Sequence, residues 1–286
     1  MKIRSFAKIN LGLEVLGRRP DGYHELRTLF QSVSLADELT FFPEPSGRIL
    51  LRGDDPSIPW DESNLIFRAA RALQERSSRA GGVRVEVRKV IPAGKGLGGG
   101  SSNAALTLLG LNRLWGLGLD SEELMDIGRS LGADVPYFFK GGLCLGLDRG
   151  DRLSALEDLP VLPLVLALPP FSCPTADIYR HFRLTSAAED SRIERFFGSR
   201  QLGFLENSLE PTVFRFHPRL QDLKALFRSR GAELSLVTGS GSAVFGLFRD
   251  RDQAAEAKRA VEQEYPAVLA ETIPRQRYER DIWAGV

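Results

Sequence analysis

Five of the seven residues from Gly94 to Gly100 are glycine, within the stretch Pro92-Ala93-Gly94-Lys95-Gly96-Leu97-Gly98-Gly99-Gly100-Ser101-Ser102. A run this rich in glycine has little preference for helix or strand, so its neighbours decide what it does. Before it, Val83, Val85 and Val87 alternate with charged residues, which predicts a half-buried strand. After it, the spacing from Ser102 to Trp115 predicts a helix. Glycine at such a junction lets backbone N–H groups close on an anion, while the helix start adds unpaired amides and the positive end of its dipole. Ser101 and Ser102 can add hydroxyls to phosphate or to Mg²⁺. The plainer reading is a turn that only joins two elements.

Two familiar phosphate loops fit poorly. The pattern G-x-x-x-x-G-K-[ST] is absent, because Lys95 is followed by Gly96. A literal G-x-G-x-x-G does occur at Gly94, Gly96 and Gly99, so an NAD-dependent oxidoreductase has to be weighed. The acidic residue expected about 20 positions later is Asp120, which precedes Ser-Glu-Glu-Leu and reads as a helix cap rather than the end of a strand.

The remainder of the chain bounds the class. At about 150 residues per domain, 286 residues predict two domains. The Pro-rich stretch 159–174 is the boundary candidate, giving 1–155 and 156–286. Strands are expected at Ile3–Val15, Ser34–Phe42 and Arg48–Arg52, the last two as partners. The second half predicts an apolar strand at Val161–Leu168 and a hairpin from Leu234–Val237 to Ala243–Phe248. Helices are expected at Asn64–Arg76, Ser121–Leu131, Thr175–Phe182, Ile193–Phe197, Pro218–Arg228 and Gln253–Glu264. Without strict βαβ alternation the class is α+β.

Lys plus Arg is 38 against 37 Asp plus Glu, so the field of a dedicated nucleic-acid binder is missing. Three His and two Cys lack zinc-site spacing, and Cys144 and Cys173 read as buried thiols in a reducing cytoplasm. No secretion signal or membrane span is read from the sequence, and it assigns neither metal ligands beyond the loop serines nor an oligomeric state.

The motif P-x-x-x-G-L-G-G-G-S-S-N-A-A resembles the nucleotide loop of the GHMP kinases. Ala7-Lys8-Ile9-Asn10-Leu11 is similar to that superfamily's first motif, and Thr238-Gly239-Ser240-Gly241-Ser242-Ala243-Val244-Phe245 to its third. The segment Asp21-Gly22-Tyr23-His24-Glu25-Leu26 resembles the branch whose substrate is a cytidine diphosphate methylerythritol, in the non-mevalonate isoprenoid pathway. Lys89-Val-Ile-Pro92, Gly132-Ala-Asp134-Val-Pro136 and Pro174-Thr175-Ala176 add to that likeness. The resemblance implies a two-domain architecture with the site in the cleft, ATP and Mg²⁺ as cofactors, and phosphorylation of the substrate's 2-hydroxyl. Departures are Phe6 where Pro is usual, Lys95 at a normally small loop position, and Ser208 inside Asn207-x-Leu209-Glu210.

The resemblance also implies roles. Asp134 is the candidate general base, although Asp-Val-Pro ahead of a short helix equally suits an N-cap. Lys8, in an apolar strand where an ammonium needs a compensating carboxylate, is paired by the resemblance with that Asp; the plain alternative is a Lys reaching solvent. Pro92 to Ser102 would hold the ATP phosphates, with Asn64 and Leu65 near the adenine. Lys89 would face adenine or phosphates, or be an ordinary strand-end charge. Lys95 would contact phosphate or point to solvent. Tyr23 and His24 would hold the cytosine, Tyr179 would stack on it or belong to the core, and Asn10, Thr175, Gly239, Ser240 and Gly241 would lie nearby. A nucleotide-binding protein without catalysis is the alternative of a different class.

Overall fold

The computed structural model describes residues 1–77, 79–184 and 191–283. The first strand, β1 (Lys2–Arg18), runs antiparallel to β2 (His24–Glu44) along nearly its whole length. β2 begins ten residues before the expected Ser34 because its first half is buried despite polar residues. Gln31 donates to the Ile273 carbonyl (2.9 Å), and Ser32 shares a hydrogen bond with the Tyr137 hydroxyl (2.6 Å). Partners remote in sequence engage the Gln31 amide nitrogen and the Ser32 hydroxyl, which offsets the cost of burying them.

Next come β3 (Ile49–Gly53), α1 (Leu65–Arg76) and β4 (Gly82–Arg88). β3 does not pair with β2 as expected. It lies parallel to β4, which takes the edge of β2 by setting Val85 opposite Phe41 and Val87 opposite Leu39. The alternating valines fit that apolar stretch better than the five-residue β3, whose side chains are mostly half-buried. Then follow α2 (Gly99–Leu114), α3 (Ser121–Leu131), α4 (Tyr137–Lys140), β5 (Leu143–Leu147) and β6 (Arg152–Ala155). β5 pairs with the first half of β2, completing a sheet of six strands among the described residues.

A second sheet is built from β7 (Pro163–Ala167), with α5 (Thr175–His181), α6 (Arg192–Ser199), α7 (Glu210–Phe216) and α8 (Arg219–Ser229) between it and the next strand. β8 (Leu234–Val237), β9 (Val244–Leu247), α9 (Arg251–Val261), β10 (Ala267–Glu271) and α10 (Arg275–Asp281) complete it. The strand order is β10-β7-β9-β8. β8 and β9 form the expected hairpin, whereas α7, β6, β10 and α10 were not foreseen. α10 returns to the first sheet: the buried Tyr278 donates to the Phe138 carbonyl (2.7 Å) and its ring lies 5.7 Å from Phe6. Among the described residues no helix is long and apolar enough to cross a membrane.

The two sheets share a core. Ala7, Ile9 and Leu11 on one face of β1 pack with Leu164, Leu166 and Phe245 of the second sheet. Because strand side chains alternate, Lys8 and Asn10 point the other way. The register of β1 against β2 shifts between Phe6 and Ala7 and again between Asn10 and Gly12, and such bulges re-aim side chains next to a site.

One buried charge anchors the approach to the glycine run. Asp37 of β2 is fully buried and accepts from the amides of Val90 (2.7 Å) and Ile91 (2.8 Å) and from Asn103 Nδ2 (3.0 Å). The Lys89 ammonium, itself buried, lies 2.8 Å from Asp37. A buried pair with every lone pair engaged is tolerated, but removing one partner strands the other charge. Asp37→Ala should therefore lower the unfolding free energy by about 3–5 kcal/mol in denaturant titrations. Adding Lys89→Met should restore part of that loss. A near-neutral single variant would show that the pair does not hold this junction.

Candidate active site

The glycine run turns from β4 into α2 with three residues at positive φ: Gly94, Gly96 and Gly98. Two have no room for a side chain. A Cβ on Gly96 would lie 2.1 Å from the Thr238 carbonyl oxygen, and one on Gly98 would lie 2.8 Å from the Phe138 ring and 3.0 Å from Lys8 Cγ. Gly98 is the N-cap of α2, so the helix starts at Gly99, three residues before the expected Ser102, and no side chain caps its first amides. The loop is stitched on both sides: Lys8 donates its N–H to Leu97 O (3.0 Å), and Ala243 donates to Lys95 O (3.2 Å). Residues Pro92 to Ser101, with Asn64, Leu65, Lys89, Trp60 and Asn103, line a cleft of about 390 Å³. Asn64 also caps α1, accepting from the Ile66 amide at 3.0 Å.

Beside the loop sits the Lys8 ammonium, on a residue only 3% exposed. It donates to Asn10 Oδ1 (2.7 Å) and lies 3.3 Å from Asp134 Oδ2 and 5.3 Å from the Phe30 ring centroid. Asp134 is more open, its side chain 37% exposed. It does not cap the short helix that follows, since the N-cap position of α4 is Pro136 and no side chain bonds there. Asn10 donates its backbone N–H to the Thr238 hydroxyl (3.1 Å), which in turn donates to Gly96 O (3.2 Å). Gly239 borders Lys8 and Asn10, and Ser240 shares a hydrogen bond with Thr175 (2.8 Å). These residues surround an inner cavity of about 130 Å³. Gly241 lies behind it against Cys173.

A larger cavity of about 880 Å³, sharing Asp134, Arg149, Thr175 and Tyr179 with the inner one, is lined also by Tyr23, His24 and Phe182. His24 and Tyr179 are 4.9 Å apart and tilted by 33°, and Phe182 meets His24 edge-on at 6.1 Å. Burial, followed by the Arg18 charge, lowers the His24 pKa from its ordinary 6.5, so the imidazole is neutral at pH 7. Burial raises the Tyr179 hydroxyl, as does the nearby Asp134 charge. Tyr179 packs against the apolar cluster of Ile178, Leu209 and Val213 and also lines the cavity. Tyr23 is 57% exposed, free to cover a ligand.

Several candidates sit differently from their simplest reading. The Lys95 ammonium is held by carbonyls rather than left free: it donates to Pro169 O (2.7 Å) and to Phe171 O. Burial lowers its pKa. Lys89 is no exposed strand-end charge, being paired with Asp37. Ser102 turns inward and accepts from the Ser5 hydroxyl (2.7 Å), while Ser101 borders both the loop cleft and the large cavity. Asp120 forms a capping box with Glu123 at the start of α3, which removes the carboxylate that a dinucleotide site needs.

Sequence reasoning missed Trp60, Asn103 and Arg149, which line these cavities, and Asp37, which holds Lys89 and Asn103 from behind. It also missed Asn207, whose amide donates to the carbonyls of Val237 and Gly239 (both 2.8 Å) and so fixes the 238–242 turn. The Asn-x-Leu-Glu pattern was the only local sign of that anchor.

The GHMP kinases N-terminal domain matches residues 64–142, and the GHMP kinases C-terminal domain matches residues 193–267. The chain is 45% identical over 261 residues to the 4-diphosphocytidyl-2-C-methyl-D-erythritol kinase of Syntrophus aciditrophicus, covering 90% of this chain and 93% of that one. A crystal structure of a 4-(cytidine 5'-diphospho)-2C-methyl-D-erythritol kinase superposes with a TM-score of 0.83 at 38% identity, over 95% of this chain and 99% of the other. A homoserine kinase from Cytophaga hutchinsonii shares the fold at 20% identity and a TM-score of 0.74, over 96% and 95% of the two chains. The chain is thus a small-molecule kinase that belongs to the GHMP kinases and, within them, to the 4-diphosphocytidyl-2-C-methyl-D-erythritol kinase family.

Proposed function

We propose that this enzyme transfers the γ-phosphoryl group of ATP to the 2-hydroxyl of 4-diphosphocytidyl-2-C-methyl-D-erythritol, a step of non-mevalonate isoprenoid synthesis. The observation that carries the reading is the Lys8–Asp134 pair, which stands between a glycine-lined cleft on one side and an aromatic cavity on the other. ATP supplies the phosphoryl group; the chain supplies positioning and charge, which dominate catalysis of phosphoryl transfer.

In this reading the amides of the glycine loop and of the start of α2 hold phosphate oxygens, and Asn64, Leu65, Lys89 and Trp60 border the adenine side. Tyr23 and His24 hold the cytosine, with Tyr179 as a second stacking face and the neutral imidazole of His24 bonding a base edge. Asp134 takes the proton of the accepting hydroxyl. Lys8 stabilises negative charge on the oxygen and on the moving phosphoryl, with Asn10 fixing its ammonium. Thr175, Gly239, Ser240 and Gly241 close the substrate's far side.

Mg²⁺ fits the donors present. Among the described residues no three of His, Cys, Asp and Glu come together, so a Mg²⁺ ion here takes most of its oxygens from the nucleotide and water, as this ion usually does. Asn103 Oδ1, buried where that residue lines the cleft, has no donor among the described residues, and Ser101 borders the same cleft. These two residues would hold the ion, which when bound draws charge from the phosphoryl oxygens.

The same proposal divides the chain at 155/156 into an ATP-binding and a substrate-side domain; the strands of the two sheets separate there, although α10 returns to the first. It places the reaction in the cytoplasm, in keeping with two free, buried cysteines whose thiols burial pushes up to about 11. The Lys8–Asp134 pair beside the glycine loop favours this reading over a nucleotide-binding protein without catalysis.

Purified protein should consume ATP with the cytidylylated methylerythritol and leave mevalonate and homoserine untouched; equal turnover of all three alcohols would sink the substrate assignment. Asp134→Ala should lower kcat by roughly 10²- to 10⁴-fold with the ATP affinity unchanged, and should also lower the melting temperature, because the buried Lys8 ammonium loses its carboxylate. Lys8→Arg keeps the charge, but a planar fork cannot reproduce the compact ammonium's placement against Asn10 and Asp134, so kcat should fall by roughly 10²-fold. Full activity in that variant would remove Lys8 from the mechanism.

A further inference from the structure

The substrate in the proposed reaction has a fixed linear order: base, ribose, diphosphate, tetritol. With the base among Tyr23, His24 and Tyr179 and the reacting hydroxyl at Asp134, the diphosphate must cross from the large cavity to the inner one. Arg149 lines both cavities, and among the described residues it is the only Lys or Arg that does. We propose that Arg149 holds the diphosphate of the substrate and sets the enzyme's preference for a nucleoside diphosphate ester over an uncharged cytidine compound. The inference rests on the proposed function and deepens it.

Arg149 is built into this position. It lies in the turn between β5 and β6, where Asp148 and Gly150 both adopt positive φ. The Asp148 carbonyl accepts from the Leu26 amide (2.7 Å), tying the turn to the strand that carries Tyr23 and His24 at its start. One arm of the guanidinium, Nη2, donates to Asp151 (2.6 Å), which is 8% exposed, and the group lies 5.2 Å from the Tyr23 ring centroid. The remaining guanidinium N–H groups have no acceptor among the described residues, and the side chain is 31% exposed. A planar fork with one arm anchored and the other open suits a diphosphate oxygen pair.

The other cations nearby are occupied or remote from the crossing point. Lys8 is engaged by Asn10 and Asp134. Arg180 pairs with Asp177 (3.1 Å) on the exposed face of α5, and Arg18, also exposed, borders the large cavity alone. A diphosphate ester brings two negative charges into a partly closed cleft, and Arg149 is the cation placed to meet them.

The test is calorimetric titration of cytidine and of CDP, with the nucleotide cleft filled by a saturating non-hydrolysable ATP analogue. Wild-type protein should bind CDP more tightly than cytidine. Arg149→Gln should shrink that ratio by roughly 10- to 100-fold, the range of hydrogen bonds to charged groups, while cytidine and ATP-analogue affinities hold; Arg149→Lys should keep part of the ratio. An unchanged ratio in Arg149→Gln overturns the assignment, as does a parallel loss of cytidine, CDP and ATP-analogue binding, which would mark a purely structural residue. If wild-type protein binds neither cytidine nor CDP, the proposed function itself fails and the assignment with it.

Discussion

A buried ammonium is costly unless a carboxylate and well-placed acceptors surround it, and the site of this enzyme is arranged around meeting that requirement at Lys8. The ammonium reaches Asn10 on its own strand and Asp134 at the start of a distant turn, while its backbone amide holds the glycine loop at Leu97. The same side chain fills the space where a Cβ on Gly98 would go. Thr238 then links Asn10 to Gly96, so that three stretches far apart in sequence converge on one strand position. The bulges in β1 make this possible, because they let apolar neighbours face the shared core while Lys8 and Asn10 face the cleft.

The near-balance of charge acquires a structural meaning. Of seven lysines, the three in or beside the motifs are all engaged within the protein: Lys8 at Asp134, Lys89 at Asp37 and Lys95 at two carbonyls of the loop after β7. None is left as a free cation over the glycine loop. In the proposed reading the loop's own amides and the uncapped start of α2 take an incoming phosphate, a neutral-backbone solution that needs no broad basic surface. Lys95 instead fastens the loop to the second half of the chain, which gives the ammonium at that position a mechanical role.

What could be read from the sequence was what local chemistry dictates. Glycine at positive φ between a strand and a helix, the Asp120 cap of α3, the alternating valines of β4 and the hairpin around Thr238 all declare themselves within a few residues. The family resemblance added which Lys and which Asp belong together. What stayed hidden depends on partners far along the chain. Gln31 and Ser32 looked unlike strand residues because their hydrogen-bond partners lie more than a hundred positions away. Asp37 looked like an ordinary acidic residue, Ser102 like a twin of Ser101, and Arg149 like one arginine among many. No periodicity marks a residue whose importance comes only from standing where two cavities meet.

The account turns on Asp134 and Lys8 flanking the reacting oxygen. A crystal structure with the cytidylylated methylerythritol and a non-hydrolysable ATP analogue tests this most directly. The account predicts the substrate's 2-hydroxyl within hydrogen-bond distance of Asp134, with Lys8 beside it and the terminal phosphate against the glycine-loop amides. A hydroxyl bound away from Asp134, or phosphates seated outside the 92–102 loop, would contradict it.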